Sequence, residues 1–300
     1  MRVYATIEVR IVSKNQSATT AVIGGFVVFC IKLSAFFISG SVALLSDALE
    51  SVVNIVASFL MFFSIRISGE PADIDHPYGH QKVENISAFI EGTLIIVAGL
   101  LIAYTAISRL FNPIELGSID IALGVSLLAT ATNAGLSIYL TRSAKKNNSI
   151  ALEADAKHLL SDVLSSVGVV IGLFIAKLTG WTILDPLLAL TMAILVFKMG
   201  TELTHKAGNG LLDQSADDEQ KRIEGLLNAH NPHFIDYHNV KTRRSGNMVF
   251  AELHLIVDPN LTVRTAHDLT KHLEEELHQE LPEVSLTIHI EPPKAHGDAD

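Results

Sequence analysis

Cysteine is almost missing from this 300-residue chain: Cys30 stands alone, inside an apolar run. One thiol excludes an intrachain disulfide and a thiolate metal cage, and Cys30 reads as a small buried hydrophobe. Basic residues are also short, with 22 Lys and Arg against 32 Asp and Glu and a net charge of −10. That balance excludes nucleic acid as a partner, because phosphate binding needs a basic surface. Neither H-E-x-x-H nor G-x-S-x-G occurs, and the residues give no reason to expect an enzyme. Charge of either sign is scarce, at 18% of residues against about 25% in soluble domains.

The scarcity is uneven. Residues 17–199 carry long apolar runs, whereas charge is dense from 208 onward. The expected organisation is a transmembrane domain over 1–207, a soluble αβ domain over 208–292 and a disordered tail over 293–300. Six stretches approach the ~20 apolar residues a membrane helix needs: 18–38, 41–65, 86–107, 119–139, 154–178 and 184–203. Arg2, Arg10 and Lys14 precede the first, which lacks a nearby small-residue cleavage site and reads as retained. Arg66, Lys82, Arg142, Lys145, Lys146 and Lys206 fall on the same side by alternation. Both termini are therefore expected in the cytoplasm.

Ionisable residues inside spans are costly and point to function. The second span carries Asp47, Glu50 and Asn54; the fifth carries Glu153, Asp155, His158 and Asp162. Glu50 with Asn54, and His158 with Asp162, are each four apart and share a helix face. Two such pairs can enclose one ion with four ligands, the number zinc prefers. Asp47, Glu153 and Asp155 read as span-end residues in contact with water. In the loop that follows the second span, Asp73, His76 and His80 can wrap a second ion, with Gly79 giving backbone freedom.

The acidic start at Ser215–Asp218 and the positions Ile223, Leu226 and Leu227 predict a helix. Residues 236–242 and 248–257 alternate like strands, with Val249, Ala251, Leu253, Leu255 and Val257 on one face and His254 on the other. A second helix over 263–281 and a strand over 285–290 complete an α-β-β-α-β order, which fits a two-layer sandwich.

The segments His76-Pro-Tyr-Gly-His80-Gln-Lys82-Val-Glu84 and Glu153-Ala-Asp155-x2-His158-x3-Asp162 resemble the cation diffusion facilitator family of metal-ion/proton antiporters. The resemblance runs from the Ser39-Gly40-Ser41 turn to His289. It implies six transmembrane helices followed by a cytoplasmic ferredoxin-like α+β domain, in a homodimer of the inner membrane. It implies a transport site at Glu50, Asn54, His158 and Asp162, a loop metal site at Asp73, His76 and His80, and an inter-domain ion pair of Lys82 with Asp213. Further metal sites would use His238, His254, His267 and His289, with Glu291 where the family often has Asp. The expected activity is export of divalent metal ions, zinc first and then iron or manganese. Protons are exchanged by alternating access, no prosthetic group is needed, and the metal ions serve as substrate and regulatory ligands. Zinc members of the family usually place His or Asp, then Asp, where this chain has Glu50 and Asn54. That departure leaves a non-transporting metal sensor or accessory subunit as the alternative.

Overall fold

The computed structural model describes residues 2–39, 42–111, 120–179, 184–229, 233–246 and 248–293. Side chains are described for most of these, though not for 2–12, 42–50 or 172–179. Asp47 and Glu50 therefore lie outside the described side chains, and residues 294–300 of the expected tail lie outside the described residues. The chain divides into two compact units, Met1–Gly208 and Asn209–Asp300.

Among the described residues the first unit is built from six long helices, the last running just past its boundary: α1 (Arg2–Ser39), α2 (Val42–Ser68), α3 (Val83–Phe111), α4 (Asp120–Asn147), α5 (Ile150–Thr179) and α6 (Leu184–Leu211). The shortest has 27 residues, or about 40 Å at the helical rise, longer than the hydrocarbon core. Three stretches are long and apolar enough to cross a membrane among the described residues: Ser13–Ser34, Val83–Ser108 and Pro186–Leu211. Among the described residues of α2, Asn54–Ser68 is a shorter apolar stretch. The first half of α5 is broken up by Glu153, Asp155, Lys157, His158 and Asp162.

Helix α5 is central because two of its faces are covered. Ala151, Leu152, Ala156 and Leu159 pack with Ala18 and Ala21 of α1, Met61 and Ile65 of α2, and Leu140 and Ala144 of α4. Ala154 instead joins Ala88 and Ile95 of α3 with Val196, Leu203 and Ala207 of α6. Helices α3 and α6 approach backbone to backbone. A Cβ at Gly200 would sit 2.8 Å from the Ile96 nitrogen, and one at Gly92 would sit 2.9 Å from the Thr204 nitrogen. Membrane helices use small residues in this way because close packing replaces the hydrophobic drive between them. Apolar side chains that face outward, such as Phe26, Phe59, Phe63, Leu100, Leu101 and Ile194, suit a lipid surround. Cys30 faces outward as well, which corrects its reading as buried. On a helix in lipid the outer side is as apolar as the inner, so an apolar run does not say which way a residue points.

At one end of this unit Lys14 and Glu84 form a buried ion pair at 2.7 Å. Ser68 Oγ donates to Glu84 Oε1 at 2.9 Å, and Ser149 Oγ donates to Oε2 at 2.5 Å. One carboxylate therefore ties together α1, α2, α3 and the residue before α5.

The second unit runs α7 (Asp217–Ala229), β1 (Asp236–Ser245), β2 (Met248–Ile256), α8 (Val263–Glu280) and β3 (Val284–Glu291). The sheet order is β1-β2-β3, antiparallel then parallel. Val249, Ala251, Leu253 and Leu255 of β2 pack against Ile223 and Leu227 of α7 and Leu273 and Leu277 of α8. Thr262 caps α8 by accepting from the Thr265 backbone N–H at 3.2 Å, as N-cap threonines do. With both helices on one face of the sheet, the face carrying Glu252 and His254 is left open.

Candidate metal sites

Between α2 and α5 the amide of Asn54 joins two expected ligands. Its Oδ1 lies 2.9 Å from His158 Nε2, and its Nδ2 donates to Asp162 Oδ2. Asn54 and His158 are each 5% exposed. The i,i+4 spacing on α5 stacks His158 over Asp162, so one amide meets both; an aspartate there would repel Asp162. Nitrogen from His158 and oxygen from Asn54 and Asp162 form a mixed donor set suited to first-row transition metals.

Asp155, expected in water at a span end, is fully buried. The packing of Ala151, Leu152 and Ala154 closes the start of α5 off from solvent. Ser58 Oγ donates to Asp155 Oδ1 at 3.0 Å, while Asp155 Oδ2 is buried without a hydrogen-bond partner. Glu153, also expected at a span end, holds Lys206 at 2.6 Å and Lys157 at 3.1 Å. Glu91 of α3, which the sequence reading passed over, is likewise fully buried. A lone acid among apolar residues in the third span was the signal that could have found it.

In the loop, Asp73 Oδ1 lies 3.4 Å from His76 Nδ1, and Asp73 Oδ2 lies 3.4 Å from His80 Nε2. The three side chains offer ligand atoms all within 4.8 Å of one another. Gly79 adopts φ +82°, a left-handed conformation that glycine takes readily. Its N–H donates to the His76 carbonyl at 2.9 Å, closing the turn that brings His80 back. The His76 backbone N–H donates to Asp73 Oδ1 at 2.6 Å and holds that carboxyl below its usual range, with help from the charges of His80 and His76.

On the open face of the sheet, His238 is opposite His254, and His254 is level with His289. Glu291 Oε1 lies 3.2 Å from His238 Nε2, and its Oε2 lies 3.2 Å from His254 Nδ1. These three side chains form a second ligand group. The His289 ring lies 4.8 Å from that of His254, centre to centre. His267 is on α8, which packs against the other face, and it is not among the converging ligands.

Residues 18–212 match the family model described as the cation efflux transmembrane domain. Residues 216–293 match that described as the cation efflux protein cytoplasmic domain. A transporter of Synechocystis is 38% identical over 263 residues, 87% of this chain and 85% of the relative. The cation-efflux pump FieF of Pectobacterium atrosepticum is 30% identical over 286 residues, 95% of this chain and 94% of the relative. Among solved structures, the metal-bound C-terminal domain of the CzcD transporter from Thermotoga maritima is 30% identical. It covers 26% of this chain and 92% of that one, with a TM-score of 0.25.

Proposed function

The chain belongs to the cation diffusion facilitator family, a family of membrane transporters and not of enzymes; from that premise we propose that it exports divalent transition-metal ions, zinc first and then iron or manganese, in exchange for protons. The observation that carries this reading is the Asn54 amide held between His158 and Asp162. An entering ion takes the lone pairs of His158, Asn54 and Asp162, and Glu50 supplies the fourth donor. Protons compete for the same His and carboxylate lone pairs. Each proton bound therefore favours release, and each ion bound expels protons. In this reading α1 to α6 are six transmembrane helices, and a group of them rocks to open the site to one side and then the other. The termini are cytoplasmic and the membrane is the inner one. The second unit is a ferredoxin-like domain, and two copies of the chain form the dimer. Asp73, His76 and His80 bind a regulatory ion, and the group of His238, His254 and Glu291 binds another.

Purified protein in liposomes containing a pH dye tests this, with Zn²⁺, Fe²⁺, Mn²⁺, Co²⁺ and Ni²⁺ offered in turn. Metal flux with opposed proton movement, abolished by Asp162→Ala, is the expected result. Metal binding without flux of any ion would refute the transport reading and favour a sensor.

A further inference from the structure

Outside the Glu50, Asn54, His158 and Asp162 set, two more carboxyls among the described residues of the first unit are buried without a Lys or Arg partner. Glu91 on α3 and Asp155 on α5 are both fully buried. Each has one oxygen served by a serine hydroxyl: Ser87 Oγ to Glu91 Oε1 at 3.1 Å, and Ser58 Oγ to Asp155 Oδ1 at 3.0 Å. The other oxygen of each, Glu91 Oε2 and Asp155 Oδ2, is buried with no hydrogen-bond partner. A third such atom, Thr204 Oγ1 of α6, belongs to the residue that lies against Gly92.

Ala154, the neighbour of Asp155, packs with Ala88 and Ile95, which flank Glu91 by about one turn on either side of α3. Asp155 in turn lies about one turn before His158 on α5. The two carboxyls thus stand on facing stretches of α3 and α5, beside the ion site. Lys157 of α5 and Lys206 of α6 are both taken by Glu153, and Lys198 of α6 pairs with Glu202. Among the described residues α2 brings only the Ser58 hydroxyl to Asp155, and no basic side chain pairs with Glu91. Two buried like charges with unfilled acceptor oxygens are unfavourable in low dielectric. A proton on one of them removes the repulsion and supplies the missing donor. Among the described residues neither oxygen converges with two further His, Cys, Asp or Glu ligand atoms, so the geometry fits a proton better than a metal ion.

Resting on the antiport reading above, we propose that Glu91 is a proton-binding residue of the transport cycle, carrying on Oε2 the proton that returns as the metal ion leaves. Arrival of a divalent cation at the Asn54 site offsets the negative charge of Asp155 and Asp162. Loss of the Glu91 proton then becomes tolerable. Departure of the ion restores the repulsion and draws a proton back.

The full chain in liposomes tests this under two drives: Zn²⁺ exchange with no pH difference, and Zn²⁺ uptake driven by a pH difference with proton movement recorded. Glu91→Gln should bind Zn²⁺ and exchange it like the wild type, while proton-driven uptake falls at least tenfold; Glu91→Asp should restore it. Wild-type proton movement in Glu91→Gln overturns the proposal, and so does loss of Zn²⁺ binding, which would make Glu91 a metal ligand. If Glu91→Gln does not assemble, Ser87→Ala removes the hydroxyl donor and leaves the carboxyl. It should shift the pH midpoint of coupled uptake, and an unshifted midpoint overturns the proposal. Wild-type vesicles that move no metal under either drive overturn the transport reading and this one together, whereas wild-type antiport with an indifferent Glu91→Gln overturns this one alone.

Discussion

Lys14 and Glu84 are 70 positions apart in sequence and 2.7 Å apart in space, each almost wholly buried. The pair closes one end of the helix group around α5. Removing one member of a buried ion pair strands the other charge, at a cost of about 3–5 kcal/mol. Lys14→Met should therefore lower the unfolding temperature of the protein in detergent. The double variant Lys14→Met with Glu84→Gln should recover much of the loss. Equal melting of the single and double variants would show that the two charges are not coupled.

The Asn54 amide makes a second prediction. Asn54→Asp puts a carboxylate where Nδ2 now donates to Asp162. Zinc affinity at neutral pH should rise about tenfold, the ~1.4 kcal/mol scale of one partly screened added charge. Affinity should also fall more steeply on acidification, since one more group must lose its proton to bind metal. Calorimetric titration at pH 6 and pH 7.5 reads both effects, and a flat response would mean that Asn54 does not face the ion.

The loop site should keep its carboxylate ligand in mild acid. The His76 backbone N–H holds Asp73 below the usual carboxylate range, so Asp73 remains ionised wherever histidines in general titrate, around pH 6.5. A carboxylate held low in the folded chain contributes stability above its unfolded pKa and loses it as pH falls through the lower folded value. Asp73→Asn should therefore weaken metal binding at Asp73, His76 and His80 by a similar factor at pH 7.5 and pH 6.5. A loss that is present at pH 7.5 and gone at pH 6.5 would mean that the carboxyl has already taken up its proton there.

On the sheet face, His254→Ala should weaken metal binding by more than the roughly 10–100-fold typical of losing a partner behind the ligands. His267→Ala should leave that group unchanged, because α8 lies on the other face. Equal losses in a binding titration of the full chain would require ligands from both faces, and hence a second copy.

Much of this architecture was legible because its signals are local. The β2 alternation placed Val249 to Leu255 inward and His254 outward. The i,i+4 spacings placed His158 over Asp162, and the Asp73-x2-His76-x3-His80 run closed on itself with Gly79 at positive φ. What was hidden depends on neighbours distant in sequence. Asp155 looked like a hydrated end because a single helix cannot show that Ala151 and Leu152 will be covered by α1, α2 and α4. Lys14 read only as a loop charge, since its partner is on α3. Cys30 was misread because lipid inverts the usual rule that apolar means inside.

The glycine contact between α3 and α6 has a mechanical consequence. Helices separated by side chains can shear past one another as rotamers adjust, but Gly92 and Gly200 bring main chain close against main chain, with only Thr204 and Ile96 side chains alongside. The two should therefore tilt as one stave, and any hinge should lie where α5 meets its neighbours through alanine and leucine. An engineered disulfide tying the far ends of α3 and α6 would then leave flux near the untied level. Flux lost on oxidation and regained on reduction would show that the stave splits in each cycle.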